Sequence, residues 1–143
     1  MTKAIRLRRA FVATLILTAM LTVLRMPQSV AVTGHLSRTA KKVCRIDWRD
    51  GRPEVKHLIR CAARRYGVSV DRAISIARRE SRFHPRAYNS GSCAKGIYQH
   101  LCRYWPKRAS KYGFDDWSAF NARANIIVTM RMVRRYGWAP WGG

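Results

Sequence analysis

The chain has 143 residues, room for one domain, and 29 lysines and arginines against 7 aspartates and glutamates give it a net charge of +22. Such a polycation is not built to hold cationic ligands; its natural partners are polyanions. Nucleic acid, anionic lipid and the polymers of a cell envelope all qualify, and charge alone does not choose among them.

The first segment is set apart by composition. Lys3, Arg6, Arg8 and Arg9 precede an uncharged run of 15 residues, Ala10 to Leu24. That run is shorter than the roughly 20 residues a membrane-spanning helix needs, and Ser29-Val30-Ala31 offers the small-x-small pattern of a processing site. Residues 1–31 are therefore expected to be an export signal cleaved near Ala31, with an uncleaved anchor as the alternative. On either reading the remainder is secreted or faces the cell envelope, and membrane contact is confined to the N-terminal segment. Loss of five basic residues with this segment leaves 24 against all 7 acids, still +17. Residues 32–43 are polar, basic and aperiodic, a linker, and the folded domain is expected to cover 44–143.

Cys44, Cys61, Cys93 and Cys102 all lie beyond the proposed cleavage point. An even set in a small exported domain reads as two disulfides. Of the three connectivities, Cys93 with Cys102 is favoured because it closes a short loop, leaving Cys44 to Cys61. Zinc bound by cysteines with His84 or His100 is disfavoured, since no CxxC pair is present. Neither metal nor cofactor is expected.

Helices follow. Pro53 stands where a first helical residue belongs and Gly67 just past an end; between them Val55, Leu58, Ile59, Ala62 and Tyr66 recur at steps of three and four. A second helix is expected from Ser69 or Asp71, either of which can cap it, to His84-Pro85. Its apolar stripe, Ala73, Ile74 and Ala77, is continued by Glu80 and Ser81, while Arg78 and Arg82 project to the opposite face. Asn89 to Gly96, NSGSCAKG, is a turn-rich loop with room for a short hairpin. The stretch from Ile97 to Gly113 reads as a helix broken at Pro106. A last helix, capped by Ser118 or Asn121, carries Ile126, Ile127, Met130 and Val133 and ends at Tyr136-Gly137. The fold class is mainly α, with at most a short hairpin.

Glu80 is the chemically suggestive residue. A carboxyl group at the rim of an apolar stripe sheds part of its hydration and is suited to give up a proton. The plainer reading is an ion pair with Arg79 or Arg64 that ties helices together. The surrounding string decides the expectation. YGVSVDRAISIARRESRFHPRAYNSGSCAKGIYQ resembles the catalytic segment of lytic transglycosylases of the soluble-transglycosylase, goose-lysozyme-like superfamily. The shared features are Glu80-Ser81 at a helix end, the box Gly96-Ile97-Tyr98-Gln99, and a late Asn125-Ile126 helix, in that order between Val55 and Trp138.

The resemblance implies an α+β lysozyme-like domain that cleaves the β-1,4 bond between N-acetylmuramic acid and N-acetylglucosamine in peptidoglycan glycan strands. It implies Glu80 as the single acid and base, giving a 1,6-anhydro end. Ser81 would touch an acetamido group or orient Glu80, and Gln99 would contact substrate. Tyr98 stands where many members carry Met and is expected as an aromatic cleft wall, because a tyrosine needs a place for its hydroxyl. The Ala-Tyr-Asn-Ala-Gly segment of the larger enzymes is missing, so Tyr136 or Trp138 is expected to replace its cleft tyrosine.

An ordinary glycosidase needs two carboxylates at a defined separation. Asp71, nine residues before Glu80 on the same helix, lies about 13 Å away, too far to pair with it. Asp115 or Asp116 could still approach from a loop. Two other functions stay open: a hydrolysing muramidase of the same fold, and a non-catalytic cationic binder of nucleic acid or membrane. The arginine-rich faces Arg60-Arg64-Arg65 and Arg131-Arg134-Arg135 would serve such a binder, but no nucleic-acid motif accompanies them, so nucleic acid is not an expected partner. Anionic envelope polymers are.

Overall fold

The computed structural model describes residues 44–142; the proposed signal and linker lie outside the described residues. A 3-10 turn, Trp48–Asp50, leads into α1, Arg52–Tyr66. Pro53 occupies its first turn, where a missing N–H costs nothing, and Gly67 closes it in left-handed backbone at φ 66°, its N–H turned back on Ala63 and Arg64. α2, Val70–Ser81, is capped by Ser69, whose hydroxyl accepts from the Arg72 amide. α4, Ala122–Tyr136, is capped by Asn121 in the same way.

α4 is the central element. Ala122, Ala124 through Met130, Met132 and Val133 are buried, so the helix is enclosed well beyond the single apolar face that the sequence suggests. α1 packs against both α2 and α4. Val55, Leu58, Ile59 and Ala62, all at 0 % exposure, form the face it contributes. Among the described residues no helix is long and apolar enough to cross a membrane.

Between α2 and α4 the chain makes a three-stranded antiparallel sheet of two-residue strands: β1, Tyr88–Asn89; β2, Ala94–Lys95; and β3, His100–Leu101. Tyr88 pairs with Lys95, and Lys95 with His100. The expected hairpin is therefore present and gains a third strand from residues expected to be helical. Pro106 does not break a helix; it stands in the first turn of α3, Trp105–Lys111, where it fits without losing a hydrogen bond. α2 also stops short of His84-Pro85, because Arg82 and Phe83 both take left-handed backbone, at φ 50° and 65°.

Both disulfides have the expected connectivity. Cys44–Cys61 ties the start of the described chain to α1, and Cys93–Cys102 closes the loop around β2 and β3.

Candidate active-site cleft

Glu80 sits on the last turn of α2, its side chain 22 % exposed. It opens into a cleft of about 330 Å³ lined also by Arg79, Gln99, Leu101, Arg108, Pro140 and Trp141. Four separate elements build these walls, so the site exists only in the folded domain.

Arg79 reaches around its helix to Glu80 and donates to one oxygen, Oε1, from both Nε (3.0 Å) and Nη2 (2.8 Å). The same Nη2 donates to the carbonyl of Trp141 in the 3-10 turn Ala139–Trp141, fastening the C-terminal segment over the cleft. Oε2 has no protein donor among the described residues. The carboxylate is thus fixed by one oxygen and free at the other. Arg78 and Arg82 are exposed, in line with their projected face.

Gln99 enters from the turn between β2 and β3 with left-handed backbone, φ 47°. Its carboxamide Nε2 donates to the carbonyls of Gly96 (2.9 Å) and Ala87 (3.3 Å), which fixes the side chain beside Glu80. The box glycine has a steric cause: a Cβ on Gly96 would lie 2.2 Å from the Ala119 carbonyl oxygen and 2.4 Å from Asn125 Nδ2. Asn125, at 0 % exposure, clamps that turn to α4. It accepts from the Tyr98 amide at 2.9 Å and donates to Ala119 at 2.9 Å and Lys95 at 3.2 Å.

Tyr98 requires a correction. It is fully buried and cannot wall a cleft; its hydroxyl donates to the Ala73 carbonyl of α2 at 3.0 Å, and its ring packs against Trp138 and Trp141. A helix carbonyl with a spare lone pair supplies the partner that was expected from solvent. Ser81 also turns inward, donating to the Ala77 carbonyl at 3.2 Å, and is not among the residues that line the cleft. Tyr136 is exposed at the end of α4, is not among the residues that line the cleft, and accepts from Lys111 at 2.8 Å; that ammonium holds its phenol below the usual range. Trp138 stands behind the cleft, 5.7 Å ring to ring from Trp141. The cleft aromatic is Trp141, whose indole donates to the Tyr98 carbonyl at 2.8 Å.

Arg108 had no signal in the sequence, since one arginine among many is indistinguishable, and the sequence offers the buried His100 behind it only as a zinc ligand. His100 lies between Thr129 Oγ1, 2.8 Å from Nε2, and Arg108 Nη1, 3.0 Å from Nδ1. Burial, reinforced by the Arg108 charge, lowers its pKa to about 3. Asp115 and Asp116 do not approach Glu80: they line a separate cleft with Trp105, Pro106, Ala109, Ser110, Trp117 and Ser118. α3 divides the two clefts, presenting Arg108 to one and Trp105 and Ala109 to the other.

No curated protein and no solved structure matches this chain. The sequence model of the transglycosylase SLT domain matches residues 57–136, a span that holds Glu80, Gln99, Arg108 and Asn125 and more than half of the chain. The protein belongs to the transglycosylase SLT domain family.

Proposed function

We propose that the protein is an exported lytic transglycosylase that cleaves peptidoglycan with Glu80 as its single acid and base. The observation that carries this reading is that, among the described residues, Glu80 is the only acid lining its cleft, with one oxygen held by Arg79 and the other open. Protonated Glu80 gives its proton to the glycosidic oxygen as the bond to C1 of N-acetylmuramic acid breaks. The resulting carboxylate takes the proton of the C6 hydroxyl of the same sugar, and O6 bonds to C1. A 1,6-anhydro ring closes and no water is consumed. A hydrolase of the same fold would place water at C1, and a second carboxylate is the usual means of activating it. Asp115 and Asp116, the acids nearest in sequence to the cleft-lining Arg108, belong to the other cleft. Gln99 and the exposed rim of Trp141, which line the cleft with Glu80, would contact the sugars. Residues 1–31 direct export, and the cationic surface holds the enzyme on anionic envelope polymers.

Glu80→Gln preserves shape and one hydrogen-bond acceptor but cannot transfer a proton. Cleavage of purified peptidoglycan should fall by about 10² to 10⁴ while the thermal transition stays in place. Mass spectrometry of the products of the unaltered protein should find ends lighter by one water than reducing ends. If folded Glu80→Gln cleaves at the parental rate, Glu80 is only a structural partner of Arg79 and the proposal is wrong.

A further inference from the structure

Arg108 presents a cation to the cleft and has no carboxylate partner among the described residues. Its contacts are the His100 ring and the face of Tyr104, 5.2 Å from the guanidinium. Arg79 already engages Glu80. Two guanidiniums and one carboxyl group line the cleft, so at most one of the two cations is matched. A half-buried guanidinium left unmatched costs desolvation that a bound anion would offset.

The residues behind Arg108 hold it in place. Thr129 has one hydroxyl proton and gives it to the Asn125 carbonyl at 2.8 Å. Its oxygen must therefore accept from His100 Nε2–H, 2.8 Å away, which leaves Nδ1 as a bare lone pair facing Arg108 Nη1 at 3.0 Å. The relay Arg108 to His100 to Thr129 to the α4 backbone has one consistent direction, and only a neutral ring with the proton on Nε2 allows it. The edge of Trp141 and the ring of Trp105 enclose His100 and keep water from competing. The depressed pKa of His100 agrees with that tautomer across the neutral range.

We infer that Arg108 is a specificity residue that pairs with a carboxylate carried on the lactyl arm of the muramic sugar, and that His100 is its positioning residue. The inference rests on the reading of the cleft as a peptidoglycan site. Two sources supply this carboxylate: the lactyl group itself, free once the stem peptide has been removed, and the first carboxylates of an intact stem peptide. Either separates muramic acid from N-acetylglucosamine, which shares its ring and acetamido group but has no acid. Glu80 can then meet the correct glycosidic bond in a strand of alternating sugars.

The test uses ligands that contain no cleavable bond, so that Glu80 stays intact. N-acetylglucosaminyl-N-acetylmuramic acid, the same disaccharide bearing its stem peptide, and diacetylchitobiose are titrated by NMR into the unaltered protein and into Arg108→Gln. A charge-assisted pair predicts tighter binding of at least one muramic ligand over diacetylchitobiose, by about 10-fold or more, and loss of that preference in Arg108→Gln. Preference for the free disaccharide alone assigns the lactyl carboxylate; preference for the peptide-bearing one alone assigns the stem. His100→Leu should lose the preference as well, and His100→Gln, which keeps a donor and an acceptor, should recover most of it. Equal affinity for all three ligands, or a preference that survives Arg108→Gln, overturns the assignment. Absence of binding while glycan strands are still cleaved overturns it too and leaves the function standing; absence of both binding and cleavage removes the function with it.

Discussion

The His100 imidazole is fully buried, and its pKa of about 3 against an ordinary 6.5 makes folding depend on pH. Between those values the unfolded chain binds a proton that the folded chain refuses. Stability is therefore complete above about pH 6.5, falls as acid is added, and falls no further on this account below about pH 3. The shift corresponds to a loss on the order of 5 kcal/mol, a large share of what a small domain has. Urea denaturation followed from pH 7 to pH 3.5 should show this slope in the parent and a much flatter one in His100→Gln. An equal slope in both would place the acid sensitivity elsewhere, with Asp47 the first candidate because the Arg49 backbone amide already lowers its pKa. Glu80 illustrates a different lesson at the same scale. Its ion pair with Arg79 and its position in the cleft are both present, so the structural and catalytic readings of one glutamate are not exclusive, and only proton transfer separates them.

The elements meet at Asn125, whose carboxamide has one acceptor and two donors in use, joining α4 to the β2–β3 turn and to Ala119. Asn125→Ala strands the buried Tyr98 amide and leaves two carbonyls unanswered, at about 1 to 3 kcal/mol for each group that water cannot reach. A loss of roughly 2 to 5 kcal/mol in chemical denaturation is expected, with Gln99 released from its place beside Glu80 and cleavage reduced even among folded molecules. Unchanged stability would mean that the turn is held by other contacts. This junction explains what could be read in the sequence. α1 and the start of α2 announce themselves through Pro53, Gly67 and Ser69, because caps are local chemistry. The ordered appearance of Glu80, Gly96, Gln99 and Asn125 was legible as a resemblance, and steric and hydrogen-bond reasons for the last three appear only in the fold. What escaped was non-local or ambiguous. Tyr98 finds its partner 25 residues back, and Trp141 is fastened by bonds to residues 43 and 62 positions away. Arg82 and Phe83 end α2 in left-handed backbone without a glycine to signal it. Pro106 begins a helix or breaks one by the same ring, and only the position of β3 decides which.

Across the described residues, part of the positive charge is gathered at helix ends that do not line the cleft. α1 and α4 are packed together, and both end in Arg-Arg-Tyr-Gly: Arg64 and Arg65 on one, Arg134 and Arg135 on the other, all exposed. The Tyr66 phenol is raised by burial, and the charges of Arg131, Arg65 and Arg134 act on it in the opposite direction. Cations at helix C-termini complement the helix dipole, which makes the cluster tolerable, each contributing about 0.3 to 1 kcal/mol. Mutual repulsion works against that gain. Replacing Arg64, Arg65, Arg134 and Arg135 with Gln should then change stability little while removing four units of the charge proposed to draw anionic polymer. Binding to whole walls should weaken in the fourfold variant, and its dependence on salt should flatten, because fewer counterions are displaced and the Debye length of about 8 Å at physiological ionic strength already screens what remains. Turnover of short soluble glycans should be unaffected, since none of the four lines the cleft. The measurement is adsorption to purified walls at rising sodium chloride beside the rate on soluble strands. If adsorption keeps its affinity and salt slope, the wall is held by the cleft or by other cations, and the paired helix ends have no part in it.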